Sequence, residues 1–156
     1  KVLYNYPVES HVYVMDRKSG EQKVFEADSR FTKNVVEKCE SGNYEQWERH
    51  NIENPHFYDL MYLPQTGMYA RLHLGGIEFD ATRDILNLMD DRDLYLTFFD
   101  KDFVVVGEAK LPSHRYNYFT GWRETNDGVA LFVDNSLDEN EKTEELVLDI
   151  VRLQAD

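Results

Sequence analysis

The chain of 156 residues is about one domain long, and its 42% apolar residues are enough to build a core. Its formal charge of -13 argues against nucleic acid and anionic membrane surfaces as partners, while a cationic partner or a metal ion stays open. The single cysteine, Cys39, excludes an intramolecular disulfide and a cysteine cluster for zinc, and no apolar run is long enough to span a membrane.

The first part of the chain predicts a three-stranded meander over residues 2–28. Runs of aromatic and β-branched residues alternate there with turn-forming residues such as those at 16–20. Residues 31–54 are polar, charged and only weakly periodic, which indicates either two short helical turns or an ordered connector. Asn54-Pro55 closes this segment, because the residue before a proline avoids the helical region.

Two later stretches, 61 residues apart, follow the same plan. Residues 58–67 lead from an aromatic residue through a polar turn to a glycine, and an alternating strand follows over Met68–Leu74. Residues 119–128 repeat this pattern, and an apolar strand follows over residues 129–133. Hairpins that recur at a fixed offset predict a β array.

An insertion and several further strands complete the predicted elements. The insertion, residues 75–93, is rich in Asp, and it carries Ile85, Leu86 and Met89 at helical spacing. This segment can form one or two helical turns after an Asp or Thr cap, or it can be a plain loop. The remaining patterns predict two strands, 94–99 and 103–111, that are joined by a turn. They also predict an acidic loop over 134–145 and a closing strand over 146–153.

The spacing of the repeat predicts an all-β fold of stacked, four-stranded antiparallel meanders. Without an insertion of about 19 residues the offset is about 42, close to the roughly 40–45 residues of one propeller blade. The chain then forms two to three blades of a partial β-propeller, with minor helical insertions. The chain is predicted to be one unit, 1–156. Residues 2–28 supply three strands of one blade, and residues 31–54 form a connector. Residues 56–111 form a full blade that contains the insertion 75–93, and residues 116–153 supply three strands of a last blade. Incomplete blades have open edges, so self-association through these edges is expected.

Several short motifs resemble those of a known family. They are Asn54-Pro-His56, Arg92-Asp-Leu-Tyr-Leu96, Phe99-Asp-Lys-Asp-Phe103, Leu111-Pro-Ser-His-Arg-Tyr-Asn-Tyr-Phe-Thr-Gly-Trp122 and Phe132-Val-Asp-Asn135. In these motifs the chain is similar to the C-terminal part of the six-bladed β-propeller lipoproteins of Bacteroides-type gut bacteria, a family of unknown function. The resemblance implies an exported parent protein in the bacterial cell envelope, lipid-anchored through an N-terminus that is not in this chain. It implies no reaction.

The sequence carries no recognised catalytic or metal-binding motif. None of its five histidines has a zinc spacing, and no nucleotide-binding loop or serine-hydrolase elbow occurs. The acidic loop 134–145 has oxygen ligands that suit calcium, but it lacks the order of a calcium-binding hand, so a solvated loop is the simpler interpretation. Arg92, in the run Asp90-Asp91-Arg92-Asp93, is expected to satisfy neighbouring carboxylates. We therefore predict no catalytic residue, no metal and no cofactor.

Aromatic residues provide the best candidate for a ligand site. Tyr116, Tyr118 and Trp122 cluster in sequence with His114 and Arg115. An exposed patch of this kind can stack on sugar rings or receive a peptide. We predict these five residues to bind a ligand, although packing between neighbouring sheets is the commoner fate of such aromatic residues.

Three functional interpretations follow from these patterns. Blade-like repeats without catalytic motifs favour a non-catalytic binding or interaction module, whose ligand is an unknown protein or carbohydrate. The alternative is a glycoside-processing or metal-assisted hydrolase that uses clustered carboxylates, but with 30 acidic residues some pair will meet by chance. A fragment that only pairs through open strand edges is the third interpretation.

Overall fold

The computed structural model describes residues 1–40, 42–119, 121–126, 128–138 and 145–154. Within these ranges the chain is mostly β, with eleven strands and two helices. In chain order they are β1 (Val2–Asn5), β2 (Val12–Met15), β3 (Gln22–Phe25), α1 (Tyr44–Glu53), β4 (His56–Phe57), β5 (Met61–Leu63), β6 (Met68–Leu74), α2 (Ile85–Asp90), β7 (Leu94–Phe99), β8 (Val105–Lys110), β9 (Trp122–Glu124), β10 (Val129–Phe132) and β11 (Leu148–Val151). The strands form three antiparallel sheets, and none of these sheets is closed.

The central sheet has the order β4-β6-β7-β8, and β5 also pairs with β6. β4 pairs with the end of β6 near Leu74, whereas β5 pairs with its beginning near Met68. β7 occupies the other edge of β6 from Tyr69 to Leu74. β4 and β5 therefore form one interrupted strand, and the sheet is a four-column antiparallel meander.

The other two sheets have three strands each, in the orders β1-β2-β3 and β11-β10-β9. The first contains the three strands predicted between residues 2 and 28. The second contains the hairpin β9–β10, which repeats the β5–β6 pattern, and β11 pairs with the free edge of β10, so that β10 is the central strand. The mostly β architecture of several antiparallel sheets agrees with the prediction, while the division into propeller blades stays a prediction.

The central sheet is packed on both faces, because neighbouring residues of a strand point to opposite sides. One face presents Leu72 and its cross-strand partner Leu96, which belong to the same apolar cluster as Val129 and Leu131 of β10. On the other face Phe99 packs with residues of the first sheet. The central sheet thus lies between the other two.

Arg71 fixes the first sheet to the central sheet. Its Nη1 donates to the Ser10 carbonyl at 2.6 Å and its Nη2 to the Ala27 carbonyl at 2.7 Å. The guanidinium carbon lies 4.8 Å from the ring centre of Phe57 and 5.2 Å from that of Phe99. A fully buried cation therefore joins two layers through backbone acceptors and two aromatic faces.

His73 lies beside Arg71 on the same face and is fully buried. Its ring stacks between Phe57, at 5.2 Å, and Tyr95, at 5.0 Å, and neither ring nitrogen has a hydrogen-bond partner among the described residues. Burial, together with the charge of Arg71, lowers the pKa of His73 to about 3. The imidazole is therefore neutral at pH 7.

Both helices begin at a side-chain cap. Asn43 caps α1 by accepting a hydrogen bond from the Glu45 N–H at 2.9 Å, and α1 then continues for ten residues. The segment 31–54 therefore ends in one helix, where two short turns or a connector were predicted. Asp84 caps α2 inside the insertion, so the helical alternative for residues 75–93 is the correct one. The middle of the predicted acidic loop, 139–144, lies outside the described residues.

His73→Phe should reduce the loss of stability in acid. Unfolded histidine titrates near 6.5, but folded His73 takes up a proton only near pH 3, so stability falls as the pH drops through this interval. The phenylalanine keeps the ring stack and cannot be protonated. The free energy of unfolding of the variant, measured by urea denaturation, should fall less steeply between pH 6.5 and 4, by up to about 1.4 kcal/mol for each pH unit.

Phe57→Leu is the control, because it disturbs the same ring stack and removes no ionisable group. It should lower the free energy of unfolding by a similar amount at every pH, so that its pH profile runs parallel to that of the parent chain. Equal acid sensitivity of His73→Phe and the parent chain would contradict a neutral, buried His73.

Candidate ligand-binding cleft

A cleft of about 690 Å³ lies between α1, the segment after β1, the end of β6 and the segment that precedes β9. Six aromatic side chains contribute to its lining, namely Tyr44, Trp47, Tyr58, Tyr118, Phe119 and Trp122. The chain has two tryptophans, and both of them line this cleft. Its volume is within the range of about 300–1,000 Å³ that is usual for small-molecule sites.

One wall of the cleft is the exposed face of α1. Tyr44 and Trp47 are three residues apart, so they lie side by side on the helix, and their ring centres are 5.6 Å apart in a stacked arrangement. Half of the Trp47 surface is exposed although the residue is large and apolar. Ile52, near the C-terminal end of the helix, is fully buried and anchors α1.

The opposite wall is formed by aromatic residues from two distant segments. The rings of Tyr58 and Trp122 are 4.6 Å apart, and the Tyr58 hydroxyl donates a hydrogen bond to the Tyr118 carbonyl. Burial raises the pKa of both Tyr58 and Tyr118, so the two phenols are neutral at pH 7. This wall is therefore a pre-formed aromatic surface.

Arg92 lies at the inner end of the cleft, with 5% of its surface exposed. Its Nε donates to the Gly75 carbonyl at 2.7 Å and its Nη2 to the Asn54 carbonyl at 2.6 Å. The neighbouring carboxylates were expected to be its partners, but among the described residues it forms no ion pair. Burial and the charge of Arg92 lower the pKa of His56, a further cleft residue, so His56 is neutral at pH 7.

The structure separates the five residues that the sequence predicted as a ligand site. Tyr118 and Trp122 line the cleft. Tyr116 is 8% exposed, and its hydroxyl donates to Asp149 of β11 at 2.8 Å. Arg115 donates to the same carboxylate through Nε at 2.7 Å. These two side chains hold the segment that leads to Tyr118 against β11.

His114, the remaining predicted residue, lies on an exposed corner away from the cleft lining. Its Nε2 is 2.6 Å from an Asp91 carboxylate oxygen. This contact connects the corner to the end of α2. Of the predicted five residues, two therefore meet in the cleft and three contact carboxylates elsewhere.

No sequence pattern predicted a ligand site at Tyr44, Trp47, Tyr58 or Arg92. The first two lie on one side of α1, and their spacing is recognisable only once a single helix is assumed. Tyr58 begins the first repeated hairpin as Phe119 begins the second, and both residues line the cleft. The equivalence of these repeat positions is the signal that could have identified the opposite wall.

Within the described part of the chain, no three His, Cys, Asp or Glu side chains group in a way that could hold a metal ion. The cleft contains two carboxylate residues, Glu48 and Asp59. No helix among the described residues is long and apolar enough to cross a membrane.

Comparison with known proteins identifies the family. The profile of a family described as a domain of unknown function, DUF4221, matches residues 1–110, so the chain belongs to this family. A crystal structure of a DUF4221 family member from Bacteroides vulgatus ATCC 8482 is similar, with a TM-score of 0.76 and 18% sequence identity. The alignment covers 97% of this chain and 42% of that chain, and it shows a shared fold. No curated protein matches the chain.

The predicted relation to a family of unknown function is thereby confirmed. The chain spans less than half the length of the solved family member. The propeller and lipoprotein character that the resemblance implied stays a prediction.

Tyr58→Phe should destabilise the aromatic wall of the cleft. The change removes the donor to the Tyr118 carbonyl, and a lost hydrogen bond in a partly buried place costs about 0.5–1.5 kcal/mol. Urea denaturation should show this loss, and the emission of the adjacent Trp122 should shift to longer wavelength. Tyr62→Phe is the matched control, because half of the Tyr62 surface is exposed outside the cleft. Equal stabilities of the two variants would contradict a structural role for the Tyr58 hydroxyl.

Proposed function

We propose that this protein is a non-catalytic binding module and that its aromatic cleft receives a carbohydrate. The observation that carries the proposal is the cleft of about 690 Å³ with six aromatic side chains in its lining. Sugar rings have apolar C–H faces, which lie well against the flat surface of tryptophan and tyrosine. Large aromatic residues serve cores first, so their partial exposure around one cavity supports a role in binding.

Polar groups between the aromatic walls support the same ligand class. His50, Asn51, Asn54 and His56 line the cleft together with its two carboxylates. Sugar hydroxyls need donors and acceptors of this kind, while the ring face needs an apolar surface. A protein ligand, the other partner that the sequence left open, would be expected to occupy a larger and flatter surface.

The alternative function is a glycoside-processing or metal-assisted hydrolase. It requires two carboxylates held at a defined separation on either side of a glycosidic bond. Glu48 and Asp59 are the carboxylate residues described in the cleft lining, and Glu48 interacts with the Tyr44 hydroxyl on its own helix. No specific observation favours catalysis by this pair, so binding is the better-supported proposal.

We propose that the parent is an exported β-propeller protein, lipid-anchored in the cell envelope of a bacterium. Three antiparallel sheets in chain order and the fold shared with a longer family member support the propeller. The sequence resemblance supports the lipid anchor. Radiolabelled palmitate should be incorporated into the full-length protein and not into a variant without the lipid-accepting cysteine.

Trp122→Ala should weaken glycan binding at least about 10-fold, because it removes the main stacking surface of one wall. Ligands are first selected on an array of plant, host and bacterial oligosaccharides and then titrated against the chain. Binding is measured by calorimetry and by tryptophan fluorescence, to which Trp47 still contributes in the variant.

Tyr62→Ala is the control for this experiment, because Tyr62 is an exposed aromatic residue outside the cleft, and its affinity should match that of the parent chain. No binding to any oligosaccharide, or equal binding by Trp122→Ala, would refute the proposal. Release of new reducing ends from a bound oligosaccharide would favour the hydrolase instead.

The chain should also self-associate, since none of its three sheets is closed. Open strand edges offer unpaired N–H and C=O groups to a second molecule. Light scattering should show dimers whose fraction rises with protein concentration. A stable monomer over the whole concentration range would contradict association through strand edges.

A further inference from the structure

The positive charges of the two buried arginines, Arg71 and Arg92, have different surroundings. Burial lowers the pKa of Arg71 and of Arg92 to about 10 in both cases. Carboxylate charges on Glu108 and Asp28 oppose this change at Arg71. At Arg92 the groups that oppose it are the phenols of Tyr58 and Tyr118, which carry no charge at pH 7. Arg92 therefore remains a buried cation without a described anion beside it.

The hydrogen bonds of Arg92 leave part of its guanidinium without a strong acceptor. Nε and Nη2 donate to two backbone carbonyls, but Nη1 donates to the Met89 sulfur at 3.6 Å. A thioether is a weak acceptor, whereas a guanidinium N–H pairs best with a carboxylate or phosphate. Because Arg92 lines the cleft, an anionic group of a ligand can reach it from the cavity.

The charge around the cleft decides whether an anion can enter. The chain as a whole carries a formal charge of -13, which repels anions at long range. Salt at physiological concentration screens such repulsion beyond about 8 Å. Inside the cleft the charges are mixed: burial and Arg92 lower the pKa of His56, while the Asp59 carboxylate opposes this change with a smaller effect. At His56 the buried cation therefore outweighs the Asp59 carboxylate.

We propose that the ligand of this cleft is an acidic sugar, a uronate unit whose ring stacks on Trp122 and whose carboxylate accepts hydrogen bonds from Arg92. The proposal rests on the carbohydrate binding proposed above and adds the charge of the ligand. An unpaired buried charge is costly, so a carboxylate that pairs with Arg92 gains more than a neutral hydroxyl in the same place. The aromatic wall supplies the stacking surface, and Arg92 supplies the selectivity.

The test compares two ligands that differ only in the carboxylate. Oligogalacturonate and the carboxyl-reduced neutral oligosaccharide of the same length and linkage are titrated against the chain at 150 mM salt, with calorimetry and tryptophan fluorescence as readouts. The acidic form should bind at least about 10-fold more tightly, a difference of about 1.4 kcal/mol. A peptide with a free C-terminal carboxylate is the third ligand, and it should not bind.

Two variants of Arg92 test whether this residue causes the preference for the acidic sugar. Arg92→Met should bind both sugars with similar affinity, and Arg92→Lys should retain part of the preference, because it keeps the charge and loses the second donor. Arg123→Met is the control, since Arg123 is exposed and directly follows Trp122, and it should keep the full preference. If Arg92→Met does not fold, the pair of ligands on the unchanged protein still decides the proposal.

Each outcome has one consequence. Equal affinity for the acidic and the reduced sugar would overturn the acidic ligand and leave carbohydrate binding in place. Binding of the peptide without binding of either sugar would overturn both proposals in favour of a carboxylate from a protein. A preference that survives in Arg92→Met would show that a different cation selects the ligand.

Discussion

The architecture depends on a central sheet that is covered on both faces. One cover is an apolar contact, in which leucines of β6 and β7 meet Val129 and Leu131 of β10. The other requires a cation in the interior, because Arg71 occupies an inward position of β6 and is fully buried. Two backbone carbonyls, from the residues just before β2 and just after β3, and two aromatic rings surround its guanidinium. The first sheet therefore cannot shift along the central sheet without leaving a charge unsatisfied, which costs more than the loss of an apolar contact.

Arg92 is likewise a buried cation that joins two backbone segments, here near the end of β6, and this connection shapes the cleft. Its donors bridge the carbonyls of Gly75, after β6, and Asn54, after α1. The two backbones approach so closely that a Cβ at Gly76 would collide with the Glu53 carbonyl. Only glycine fits this position. The C-terminal end of α1 is therefore fixed to the central sheet, and the helix holds Tyr44 and Trp47 opposite the second aromatic wall.

Much of the strand order was predictable from the sequence, because period-two alternation and turn residues are local signals. The strand Leu94–Phe99 and the repeated hairpins are examples. The helix α1 was harder to predict. Only Ile52 of its residues is buried, and its exposed aromatic residues make the apolar pattern look irregular. The cleft could be predicted only in part. Tyr118 and Trp122 belong to one aromatic cluster in the sequence, but the aromatic residues of α1 in the same cleft are 71 to 78 positions away, and no local rule connects such distances.

Arg92 illustrates why composition is a poor guide to the charge of a ligand. In the sequence it stands among three aspartates, and charge pairing within such a run is the natural expectation. In the structure two of these aspartates pair with other residues: Asp91 pairs with Arg83 and His114, and Asp93 pairs with Lys110. The backbone around Gly75 then carries the Arg92 side chain inward, away from the carboxylates that surround it in the chain. A protein with a large negative net charge thus keeps a buried cation in the lining of its aromatic cleft, and at distances of a few ångströms this cation acts on a ligand more strongly than the distant surface charge does.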